Sequence, residues 1–138
     1  MTQLLLDTHV LIWLLLDTER ISEFVYQQIQ IAADENRIVI SAITPWEVAL
    51  LVSKKKITLQ EDVQLWIDKA LALPGIRLYP LTPAIAVAST RLPWEMHPDP
   101  ADRILAATAL HLKATLVTAD ETLLRYAAAG HLQCLPAS

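Results

Sequence analysis

The sequence predicts an α/β fold with a central parallel sheet of four or five short strands flanked by helices. Three observations predict it. Short apolar or β-branched segments alternate along the chain with longer segments of helical pattern, and such alternation marks strands joined by helical crossovers. Hydrophobic residues make up 54% of 138 residues, enough for one core in a chain of this length. No repeat, low-complexity segment or linker interrupts it, so residues 1–138 read as a single domain.

Each element has a local reason. Gln3–Leu6 is short and apolar and reads as a buried strand, followed by a helix over Thr8–Leu16. Ser22 is placed to cap a second helix running to about Asn36. Arg37–Ile40 is β-branched and reads as the second strand. Thr44-Pro45-Trp46-Glu47 has the spacing of a capping box with proline at the first helical position, which predicts a helix starting there and running to Lys54–Lys56. Gln60–Leu73 reads as a helix stopped by Pro74-Gly75, and Ile76–Tyr79 as the third strand. Thr82-Pro83 opens a helix to about Arg91, and the prolines of Pro93–Pro100 predict a loop. Asp99-Pro100-Ala101-Asp102 opens a helix to His111 or Lys113. Thr115–Val117 is the fourth strand, Glu121–Ala129 a short helix ended by Gly130, and Leu132–Leu135 a fifth strand.

Composition excludes several function classes. With only Gly75 and Gly130, the chain cannot form a glycine-rich dinucleotide or phosphate loop or a nucleophile elbow. Any phosphate must be held by cations or side chains. The net charge of −4 gives no basic footprint, although clustered carboxylates loaded with metal would invert the local field. Cys134 is the only cysteine, so no intramolecular disulfide or zinc knuckle forms, which fits a cytoplasmic protein. The apolar N-terminal stretch is broken by Asp7 and His9 and reads neither as a signal peptide nor as a membrane span. His9, His97, His111 and His131 share no metal-ligand spacing. The four tryptophans read as core or interface anchors, with Trp94 in the proline loop the best candidate for another role. Cys134 and His131 make no credible nucleophile pair.

A parallel sheet binds its ligand beyond the carboxyl ends of its strands. Asp7 and Asp120 follow strand segments directly, while Glu47 and Asp102 sit at helix N-termini reached by loops on the same edge. Singly, each can be a helix cap, and Asp99 reads as one. Together, four converging carboxylates would repel one another unless a cation neutralised them, and an all-oxygen set suits Mg²⁺ or Mn²⁺. Such a metal can activate water for attack on phosphorus.

The segments L-L-L-D-T-H-V-L-I-W, S-A-I-T-P-W-E-V, D-P-A-D-R-I-L-A-A-T-A and L-V-T-A-D occur in the order and spacing of the PIN-domain ribonucleases, and the sequence most resembles the VapC-type toxins of bacterial toxin–antitoxin pairs. The resemblance spans residues 3 to 134 and implies a PIN-like three-layer fold. It implies a metal-dependent endoribonuclease whose acidic quartet is Asp7, Glu47, Asp102 and Asp120, with Asp7 and Asp102 the direct ligands of Mg²⁺ or Mn²⁺. Thr118 matches a hydroxyl position beside the last acid. Between the two aspartates of D-P-A-D, the resemblance selects Asp102 over Asp99. Position 101 is Ala where such sequences often carry an aromatic. His9 is placed to touch substrate, and Arg103 or the lysine run to hold RNA backbone. A homodimer and a cognate antitoxin covering the acidic site are implied as partners. A haloacid-dehalogenase-type phosphatase is the rival enzyme, but His9 stands where that family usually needs a second Asp. A non-catalytic PIN-like binding module is the rival from outside enzymes.

Overall fold

The computed structural model describes residues 2–92 and 99–138. The order is β1 (Leu4–Leu6), α1 (Thr8–Leu16), α2 (Glu23–Asp34), β2 (Ile38–Ser41), α3 (Ile43–Ser53), α4 (Val63–Leu71), β3 (Ile76–Tyr79), α5 (Pro83–Ser89), α6 (Pro100–Leu112), β4 (Thr115–Thr118), α7 (Glu121–Ala128) and β5 (Cys134–Pro136). A 3₁₀ turn over Thr18–Arg20, which the sequence reading did not anticipate, joins α1 to α2.

The strands form one sheet in the order β3-β2-β1-β4-β5, and every pairing is parallel. β1 lies at the centre, with Leu5 opposite Val39 of β2 and Leu116 of β4. Successive strand residues point to opposite faces, and both faces here are covered. Leu4, Leu6, Ile38, Ile40 and Val117 pack with Val10 and Leu11 of α1 and Val25 and Ile29 of α2. Leu5, Val39 and Leu116 pack on the other face with Leu105, Ala106 and Ala109 of α6 and Leu123 and Tyr126 of α7. The result is three layers, and it explains why β1 is leucine at all three positions. A third cluster joins Ile12, Val48, Trp66 and Ala70 of α1, α3 and α4.

Element boundaries shift where side chains choose a different partner. α2 stops at Asp34, and Asn36 takes a left-handed conformation (φ 57°) beyond it. α4 is shorter than the predicted Gln60–Leu73, because Asp62 caps it by accepting from the Gln64 amide. β2 and β5 sit one and two residues later than expected at their starts. The predicted capping box is incorrect. α3 begins at Ile43 with Ala42 at its cap position, and neither Thr44 nor Glu47 serves the helix end. Trp66 is in the core as expected, whereas Trp46 is 55% exposed. Positions 93–98 of the predicted loop, including Trp94 and His97, lie outside the described residues.

From β1 the chain builds outward through β2 to β3, then returns to add β4 and β5 on the other side. Strand order therefore reverses at β1 and β4, and the crevice beyond their carboxyl ends is where an open α/β sheet binds ligands.

A candidate acidic active site

Asp7 stands at that reversal. Its amide donates to the Val117 carbonyl at 3.0 Å, which ties it to the end of β4. It occupies the cap position of α1, yet its carboxylate makes no capping bond. Oδ2 instead accepts from the Thr118 hydroxyl at 2.6 Å. The Thr118 oxygen in turn accepts from the Asp120 amide at 3.0 Å. Asp120 does cap its helix, Oδ1 accepting from the Leu123 amide at 2.9 Å. Asp99 caps α6 through the Ala101 amide at 2.9 Å, and Asp102 sits in the first turn of that helix. Glu47, in the second turn of α3, accepts a short hydrogen bond from the Thr8 hydroxyl, which also lies 3.1 Å from the Thr44 hydroxyl.

These elements converge on an open cleft of about 300 Å³. Asp7, Glu47, Asp99, Asp102 and Asp120 all line it, with His9 and Trp13 on the α1 side. The structure thus gathers the whole predicted quartet. It also brings in Asp99, which serves as a cap and a cleft wall at once. Thr118 is fully buried behind Asp7. Arg103 is half-buried and outside the cleft lining, and Lys54–Lys56 are exposed beyond the end of α3. Sequence reasoning missed the hydroxyls of Thr8 and Thr44. The one available signal was the threonine that directly follows Asp7.

Asp7 and Asp102 are 6% and 8% exposed, and burial disfavours a charged carboxylate. Burial pushes the Asp102 carboxyl up to about 8, and Asp7, Asp99, Asp120 and Glu47 add to the shift. Glu47 is pushed up to about 6 by burial and then by Asp7 and Asp99, against the opposing Thr8 hydrogen bond. Asp7 is also raised, chiefly by burial, with the Thr118 bond and His9 pulling the other way. Each of these groups binds its proton more tightly folded than unfolded. Their contribution to stability is fully present below the unfolded value of about 4 and is lost as pH rises through the folded value. Glu47 loses it towards pH 6, and Asp102 towards pH 8. Melting curves of metal-free wild type and Asp102→Asn should therefore diverge between pH 4 and 8. The variant should be the more stable by about 5 °C at pH 8, with the gap closing at pH 4. A gap independent of pH would mean that Asp102 does not carry this cost.

Among the described residues, no group of three or more His, Cys, Asp or Glu stands ready to hold a metal ion. The donor set still fits a hard divalent cation. It is all oxygen, its two deepest members resist ionisation, and Mg²⁺ is commonly held by one or two carboxylates with waters completing the octahedron. Other nucleophile candidates are weak. Burial pushes the Cys134 thiol up to about 12, and its Sγ lies 3.9 Å from the Leu123 carbonyl. His131 stacks on Tyr126 at 4.8 Å.

Comparison with known proteins adds an independent line. Residues 4–129 match the PIN domain. The chain is 35% identical over 123 residues to Ribonuclease VapC22 of Mycobacterium tuberculosis, covering 89% of this chain and 91% of that one. Among solved structures it superposes on a chain of VapBC2 from Rickettsia felis bound to a promoter DNA fragment, with TM-score 0.67, 18% identity and 96% of each chain covered. It also superposes on FitAcB from Neisseria gonorrhoeae, with TM-score 0.65, 22% identity and 97% of each chain covered. At those identities the structural likeness concerns the fold.

Proposed function

The chain belongs to the PIN-domain family, and on that premise we propose that it is a metal-dependent endoribonuclease, the toxin of a toxin–antitoxin pair, built as one domain. The observation that carries this reading is the pair of buried acids, Asp7 and Asp102, facing an open cleft at the sheet's reversal point. Family membership leaves the phosphatase reading without support. A non-catalytic role gives no reason to keep carboxylates where their ionisation is opposed.

Asp7 and Asp102 would hold Mg²⁺ or Mn²⁺, which would supply Lewis acidity to a phosphate oxygen and acidify a water. Thr118 fixes the Asp7 carboxylate by its hydrogen bond. Thr8 fixes one oxygen of Glu47. The carboxylate of Glu47, with a proton affinity near neutrality, is suited to position the attacking water and accept its proton. Asp120 keeps one oxygen on the Leu123 amide and turns its charge to the cleft. The water attacks phosphorus, the P–O bond to the leaving sugar oxygen breaks, and that oxygen takes a proton from solvent. Arg103 or Lys54–Lys56 would serve as point charges for RNA backbone away from the cleft.

A structural neighbour from Klebsiella pneumoniae is a toxin–antitoxin complex, and we extend an antitoxin partner to this chain, together with a homodimer. Exposed apolar side chains such as Leu78, Val87 and Leu110 are available for such contacts. No helix among the described residues is long and apolar enough to cross a membrane, and we place the protein in the cytoplasm.

The test is direct. The purified chain, given Mg²⁺ or Mn²⁺ and mixed-sequence single-stranded RNA or DNA of the same sequence, should fragment the RNA. An intact RNA with both metals would refute the nuclease reading.

A further inference from the structure

Five carboxylates among the described residues line the cleft, so nothing in those acids attracts a polyanion. Its α1 wall has a different chemistry. His9 and Trp13 lie one helical turn apart and therefore on one face of α1. Both border the cleft, with ring centroids 6.2 Å apart and planes inclined by 54°. His9 is exposed, while Trp13 is half-buried and anchored against the core beneath it. The Arg20 guanidinium sits 5.7 Å from the Trp13 ring centroid and is steadied by Asp17, with Nε 3.2 Å from Oδ2. Core packing explains the buried part of Trp13. It does not explain an exposed imidazole beside the indole, or a guanidinium over it, at the rim of an acidic cleft.

We propose that His9 and Trp13 form a stacking platform for an unpaired base next to the scissile phosphate, with Arg20 as the residue that positions Trp13. This rests on the nuclease reading and assigns to α1 the contact with a base beside the cleft. Bases of unpaired RNA stack on Trp, His and Arg planes, an attraction that needs no net positive charge. Bases inside a duplex present no free face to such a wall.

The experiment uses Asp102→Asn with Mg²⁺ as a non-cutting parent and a fluorescently labelled single-stranded oligoribonucleotide, its duplex, and the same strand with abasic sites. The parent should prefer the single strand. Adding Trp13→Ala or His9→Ala should weaken that binding roughly 5- to 100-fold. Trp13→Phe should keep it within about 3-fold, because an aromatic face remains. The abasic strand should bind equally to all. Melting curves monitor folding, and if Trp13→Ala loses its fold, the exposed His9→Ala decides. Single-strand binding that both His9→Ala and Trp13→Ala leave unchanged overturns the platform and leaves the nuclease reading standing. No RNA binding by the parent overturns both.

Discussion

Asp102→Asn should lower RNA cleavage by about 1000-fold or more while leaving the protein folded, and Asp7→Asn should do the same. The substitution keeps shape and removes charge. At Asp7, the new amide oxygen can still accept from the Thr118 hydroxyl, so the link between β1 and β4 survives. At Asp102, a neutral side chain removes an ionisation that burial and four neighbouring acids oppose. Loss of activity therefore cannot come from loss of fold, and both variants should melt no lower than wild type in EDTA. Initial cleavage rates beside far-UV circular dichroism and melting curves check this. Full activity in Asp102→Asn would move the ligand role to Asp99, the aspartate that caps α6 and also borders the cleft.

Removal of divalent metal should have an effect of similar size. In excess EDTA cleavage should fall at least about 100-fold, and Mg²⁺ or Mn²⁺ should restore it. Neither Cys134 nor His111 offers a substitute route. Cys134 is held as a thiol well above neutrality, and His111 lies against Tyr79, 6.1 Å between ring centroids. Without a cation, the acids that line the cleft repel the phosphate they must approach. Undiminished cleavage in EDTA would end the metal mechanism.

Much of this site was legible in the sequence. L-L-L followed by Asp7 marks a strand buried on both faces that ends in a charge, and T-L-V-T-A-D repeats that pattern at Asp120. Carboxylates at such positions face the ligand edge because the fold puts every parallel strand's carboxyl end there. What failed was local inference about long-range contacts. Thr44 and Glu47 have capping-box spacing, but their side chains engage Thr8, 36 and 39 residues away. Once Thr8 claims Glu47, the helix starts earlier, and Ser41 takes over its first amide by accepting from Ile43 at 3.1 Å. Asp7 shows the converse. Its position is that of a cap, but the Thr118 hydroxyl, 111 residues on, holds the carboxylate instead. No local pattern distinguishes that from Asp120, which does cap.

Membership of Asp7 in a metal site is tested most directly by one set of melting curves. Wild type and Asp7→Asn are each melted in EDTA and in saturating Mg²⁺. Mg²⁺ binding to the folded state alone stabilises by about 2.7 kcal/mol at a hundred times the Kd, or about 5–10 °C for a chain of this size. Wild type should show that shift. Asp7→Asn should start higher in EDTA, because one opposed ionisation is gone, and should gain less than about half as much from Mg²⁺. An equal Mg²⁺-induced shift in both proteins would contradict the assignment of Asp7 to the metal.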